Sequence, residues 1–216
     1  MGPKRGGAML NYLKALRYSL YTIFHPFKGF WDIKHKKKGS LAASLTFLSV
    51  YVLTAVFRAQ FTGYIFNENY PDTANVFKII LQSVMLFFLW CLSNWCLTTL
   101  MDGEGSFRDI TTAVGYALVP VIIGNLLITW MSNGMILEEQ MFITYIDGIT
   151  LLWTGMLLLF GTLVVHQYSL LKTVVTSLLT VVVMMIVVFI GLLCISLMQQ
   201  LADFFESIYK EIAFRI

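Results

Sequence analysis

The run Asp102-Gly103-Glu104-Gly105-Ser106-Phe107-Arg108-Asp109 is the densest set of chemically capable side chains in the sequence. Three carboxylates spaced by glycines have the composition to hold Mg²⁺ and a phosphate. Phospholipid alcohol-transferases open a motif with Asp-Gly in this way, then continue to an Ala-Arg pair and further aspartates. No Ala-Arg pair follows here, and the next aspartate after Asp109 is the distant Asp147. The plainer expectation is a tight turn in which Gly103 and Gly105 supply the turn geometry and Asp109 starts a helix. His166 is the one group within a long apolar stretch that titrates near neutral pH, and no carboxylate shares that stretch. It is expected at an interface. Cys91, Cys96 and Cys194 lack metal-ligand spacing and read as small core residues. No catalytic residue, metal or cofactor is expected, and the chain reads as a non-enzyme.

The elements that position these groups follow from the charges. The 216 residues are 58% hydrophobic and 12% charged, where soluble domains carry about 25% charge. This excludes a disordered chain and a disulfide scaffold, and points to an all-α polytopic membrane protein. Five uncharged intervals occur, at 39–57, 79–101, 110–137, 148–171 and 173–202. Each suffices for one helical crossing of about 30 Å, and none suffices for two. Spans are expected near 41–61, 77–100, 111–133, 148–170 and 174–199, within a transmembrane domain of 39–200.

Nine of the fifteen Lys and Arg precede the first span, so the N-terminus is expected in the cytoplasm and the C-terminus outside. Residues 1–38 form a basic segment whose stretch 9–33 carries Leu10, Leu13, Leu16, Leu20, Phe24 and Phe27 at helical spacing. That pattern predicts a helix lying in the membrane interface, broken at Pro26. Lys34, Lys36, Lys37 and Lys38, with Trp31 beside them, would draw anionic lipid. Residues 201–216 predict a second amphipathic helix, outside. Asp102, Glu104, Phe107, Arg108 and Asp109 complete the surface expected to meet lipid or a protein partner. Nucleic acid is not an expected partner.

Inside the spans, Asn94 and Asn125 are expected to bond between helices, or else to line the path of a passive transporter or channel. Pro120 should kink the third span. Gly115, Gly124, Gly155, Gly161 and Gly191 should admit close helix contacts. Arg58 is expected to snorkel, or to pair with Glu68 or Asp72.

Three stretches resemble one family. They are His25-Pro26-Phe27 with Phe30-Trp31-Asp32-Ile33, then Gly103 to Asp109, then Gly115-Tyr116-Ala117-Leu118-Val119-Pro120. Over roughly residues 20–200 the chain is similar to bacterial members of the Yip family, membrane proteins named for Ypt/Rab-interacting relatives. It lacks the Asp-Leu-Tyr-Gly-Pro stretch and the long polar N-terminal domain of the eukaryotic relatives. The resemblance implies a five-helix bundle without catalysis in the bacterial cytoplasmic membrane. It implies a scaffold or accessory role beside another membrane protein or complex, such as an ABC-type importer.

Overall fold

A computed structural model describes residues 5–67 and 75–215. Five helical segments are long and apolar enough to cross a membrane. The protein is all-α among the described residues, and multi-pass. The helices are α1 (Arg5–Phe24), α2 (Pro26–His35), α3 (Leu41–Phe61), α4 (Val76–Leu100), α5 (Phe107–Ala117), α6 (Val119–Ser132), α7 (Gln140–His166) and α8 (Leu170–Arg215). α5 and α6 together make the third span. Pro120 has no N–H to give to Tyr116, so the helix breaks at Leu118 and restarts with Pro120 in the first turn of α6.

Two boundaries depart from the charge-gap reading. The helix that carries the fourth span starts at Gln140, ahead of the span expected near 148–170, and runs straight through Asp147. Arg58 of α3 explains this: its guanidinium grips Asp147 through both nitrogens, at 2.8 and 3.2 Å, and also donates to Asn125 of α6 at 3.1 Å. A guanidinium fork on the carboxylate offsets its charge next to the apolar stretch that follows. The pairing imagined for Arg58 with Glu68 or Asp72 falls outside the described residues. At the other end, no break separates 201–215 from the fifth span. α8 is one helix of 46 residues, about 70 Å long at 1.5 Å per residue. Only its first turns are held, through buried Thr173, Thr176, Ser177 and Thr180.

The N-terminal segment is a helical hairpin. His25 separates α1 from α2, and Pro26 starts α2 at its first position. Gly29 lets the two legs close, since a Cβ there would lie 2.8 Å from Thr22 Cα. The hairpin stands along α7 instead of lying across its end. Its tip meets Trp153, which donates to the Ile23 carbonyl at 3.3 Å. Its return leg ends where Lys34 donates to the Val165 carbonyl at 2.7 Å. Those two contacts are twelve residues apart on α7, about 18 Å.

The stripe seen in the sequence is also on the opposite face from a soluble amphipathic helix. Leu10, Leu13, Leu20, Phe24 and Phe27 point outward, while Ala15, Ser19, Thr22 and Gly29 pack inward. This is how helices associate in a bilayer, where lipid takes the large apolar groups and small residues bring backbones together.

Small residues serve unevenly. Gly115 of α5 lies against Ser44 of α3, with no room for a Cβ, and Ser44 donates to the Thr111 carbonyl at 2.6 Å. Gly124 abuts Thr150, and Gly161 meets Ala113 and Phe30. Gly155 and Gly191 have nothing within 4 Å. The expectation of close contacts fails for these two, because their helix faces are turned away from the bundle. Cys91 is buried, but Cys96 and Cys194 are exposed on the bundle's outer surface, so only one of the three cysteines is a core residue.

Candidate functional site

At the end of the bundle that carries the lysine run, the local sequence builds a stiff turn. Thr98 accepts from Gly103 backbone to backbone at 2.8 Å, and Asp102 takes the left-handed conformation at φ 57°. Aspartate tolerates that region through its short polar side chain. Neither Gly103 nor Gly105 has positive φ. Their role is space: a Cβ at Gly105 would lie 2.5 Å from Val165 Cγ1 and 2.7 Å from His166 Cε1. Ser106 then caps α5 in a reciprocal box. Asp109 N–H reaches Ser106 Oγ at 3.3 Å, and Ser106 N–H reaches Asp109 Oδ2 at 3.2 Å. The Asp109 carboxylate is thereby turned to its own helix start, while Glu104 faces Lys34 at 3.8 Å. Among the described residues no three metal-ligating side chains converge.

His166 is buried under this loop and not at an interface. Gly105 N–H donates to its Nδ1 at 3.3 Å, which leaves Nε2 to donate to Asn94 Oδ1 at 3.1 Å. Asn94 passes the chain on to Thr180 at 3.3 Å. One imidazole therefore joins the loop to α4, α7 and α8. In the sequence it carried no partner within its own stretch, because its two partners come from the loop and from α4. Asn94 and Asn125 do not share a space. Asn94 lines a void of about 10 Å³ with His166, and Asn125 lines a separate cavity of about 800 Å³ with Arg58 and Asp147. Tyr116 is fully buried and donates to the Ala15 carbonyl at 3.0 Å, so the Gly115-Tyr116 pair is packing that seats α1 and α3.

Asp32 entered the sequence reading only as part of the Phe30-to-Ile33 resemblance, with no role assigned to it. It is buried beneath the lysine run, 2% exposed. Lys38 lies 2.6 Å from Oδ2, Tyr18 donates to the same oxygen at 3.0 Å, and Lys36 stands 2.9 Å from Oδ1, close but off the hydrogen-bonding direction. Lys38, then Lys36, hold the carboxyl well below its usual range against the cost of its burial. Only the i,i+4 spacing to Lys36 hinted at this in the sequence.

The run of cations is thus sorted. Lys36 and Lys38 are committed to Asp32, and Lys34 to Val165 and Glu104. Lys37, held at φ 50°, makes no ion pair among the described residues. Trp31 stacks on His35 with ring centroids 3.9 Å apart, and Phe107 meets Trp95 edge-on at 6.0 Å. Both rings keep an exposed face.

Acid should loosen this junction. A depressed carboxyl contributes stability that is complete above its unfolded value, near 4, and fades as pH falls below it. Hydrogen exchange across residues 30–40 in micelles, corrected for intrinsic rates, should therefore quicken between pH 5 and pH 3. Asp32→Asn should already exchange fast at pH 5. Equal protection in both proteins at both values would refute the hub role.

The Yip1 domain model matches residues 20–192. No curated protein and no solved structure matches the chain. The matched region runs from the end of α1 to the middle of α8, and takes in the hairpin turn, the capped loop and the Gly115-to-Pro120 break. By that match the chain belongs to the Yip1 family.

Proposed function

We propose that this protein is a non-catalytic scaffold or accessory subunit that binds and stabilises a partner membrane complex, such as a transport system. Its setting in this reading is the bacterial cytoplasmic membrane, with the N-terminus and the lysine-rich end in the cytoplasm and the C-terminus outside. The orientation rests on the positive-inside rule, since nine of fifteen Lys and Arg precede the first span.

One observation supports the role above the others. The one buried imidazole is spent on joining the bundle's own elements, through Gly105 and Asn94. At the lysine-rich end, exposed aromatic faces of Trp31 and Phe107 flank cations that have no ion-pair partner among the described residues. Aromatic residues beside arginine are the composition of binding hot spots.

Native pull-down under mild extraction tests it. A defined membrane complex should be recovered in fixed ratio, and a Trp31→Ala/Phe107→Ala variant should lose most of it. Recovery of the chain alone, or of the same complex with the double variant, would overturn the reading.

A further inference from the structure

We propose that the cavity between the α2–α3 turn and the start of α5 is a binding site for a phosphate group, carried by an anionic lipid or free in solution. The cavity has a volume of about 210 Å³. It is where two stretches that are 70 residues apart in the sequence meet: the lysine run and the capped loop. Lys34, Lys37 and Arg108 line it, and so does Asp109. Three cations against one carboxylate leave a formal +2 at the walls.

The carboxylate is counted in that sum, and no cation pairs with it among the described residues. Asp109 Oδ2 takes the Ser106 hydroxyl at 2.6 Å as well as its backbone N–H. Lys37 and Arg108 have no ion-pair or hydrogen-bond partner for their charged groups among the described residues. Lys34 is held in place by the Val165 carbonyl at 2.7 Å, with Glu104 at the longer 3.8 Å.

The floor adds backbone donors. Ser40 and Leu41 line the cavity at the N-terminus of α3. Ser40 Oγ accepts from Ala43 N–H and its carbonyl from Ser44 N–H, which leaves the N–H groups of Leu41 and Ala42 without an intrahelical acceptor. The partial positive charge of a 21-residue helix lies behind them. A monovalent or divalent phosphate fits this set, with Arg108 as the fork and Lys37 as the point charge. The depth also fits. Leu41 and Phe107 begin two spans, so the cavity stands where helices leave the hydrocarbon, at the level of lipid phosphates. The inference does not depend on the scaffold reading, because it needs no protein partner.

The test uses the full chain in nanodiscs and in neutral detergent. Native mass spectrometry of nanodiscs of phosphatidylcholine with phosphatidylglycerol should retain one phosphatidylglycerol per chain. Lys37→Gln/Arg108→Gln should weaken that retention at least about tenfold. The charge-matched control Arg17→Gln/Lys28→Gln, on cations outside the cavity, should keep it. In neutral detergent, ³¹P NMR titration with inorganic phosphate reads the soluble source. Saturable phosphate binding that the cavity pair abolishes, without lipid retention, assigns the site to a free phosphate. Equal loss with both variant pairs, or no saturable binding of either probe, overturns the proposal. Both pairs alter exposed side chains, and an unchanged melting temperature checks that each still folds.

Discussion

Phe30→Ala should release the N-terminal hairpin from the bundle, at a cost of about 3 kcal/mol. Phe30 is 1% exposed and is the largest apolar group by which α2 enters the core. Its ring lies over Gly161, where even a Cβ would come within 3.6 Å of it, and beside Ala113. Neither neighbour has atoms that can move into the vacated space. In soluble cores such a truncation costs about 3–5 kcal/mol, as lost transfer energy plus a cavity. Between helices in a bilayer the transfer part shrinks because lipid is as apolar as the core, so the cavity dominates and the lower end applies. A loss of about 3 kcal/mol raises the open population by a little over a hundredfold. Trypsin cleavage at Lys34, sealed by its bond to Val165, should rise in proportion when opening precedes cleavage. Phe27→Ala, on the same helix but 54% exposed, should change the rate little. Equal rates in both variants would show that the hairpin is held by something other than this ring.

Gly115→Ala should destabilise the protein, and Gly155→Ala should leave it equally or more stable. At Gly115 the added Cβ overlaps Ser44 Oγ and lies 2.7 Å from Ser44 Cβ and 2.8 Å from its Cα. A backbone carbon cannot swing aside, so α3 and α5 must part. The separation also stretches the bond from Ser44 to the Thr111 carbonyl. Overpacking of this kind costs about 1–3 kcal/mol, and the rigid neighbour places this case at the upper end. At Gly155 nothing lies within 4 Å, so alanine brings only its better helix propensity, up to about 1 kcal/mol in favour. Thermal unfolding in one detergent, followed by tryptophan fluorescence, should give a lower melting temperature for the first and an equal or higher one for the second. Melting of Gly115→Ala at the wild-type temperature would mean that the two helices are not in the contact described.

The two substitutions probe features of unequal legibility. The first span, Leu41–Phe61, and the helix break at Pro120 were readable because their causes are local. An apolar length either matches the hydrocarbon or does not, and a proline lacks its N–H wherever it stands. The start of α5 was legible only approximately: Asp109 was expected to begin it, whereas Ser106 is the cap and Asp109 is the third helical residue. Which glycine is indispensable was not legible, since Gly115 and Gly155 look alike until a second helix is placed beside one of them.

The candidate site divides in the same way. The lysine run and the capped loop stood out separately as charge and as motif. That Lys36 and Lys38 serve Asp32, while Lys37 and Arg108 share a cavity, depends on the fold.

By itself the sequence determined that this is a multi-pass helical membrane protein with five helices long and apolar enough to span, and which end is basic. Those properties follow from the transfer cost of each residue summed along the chain. Only the tertiary structure decided what the exceptions do. Asp147 sits inside a long apolar helix, where Arg58, 89 residues away, pairs with its charge. His166 is buried because Gly105 and Asn94 satisfy both of its nitrogens. A charge or polar group that is costly alone becomes tolerable when paired, and the pairing partner is a property of packing that linear spacing does not contain.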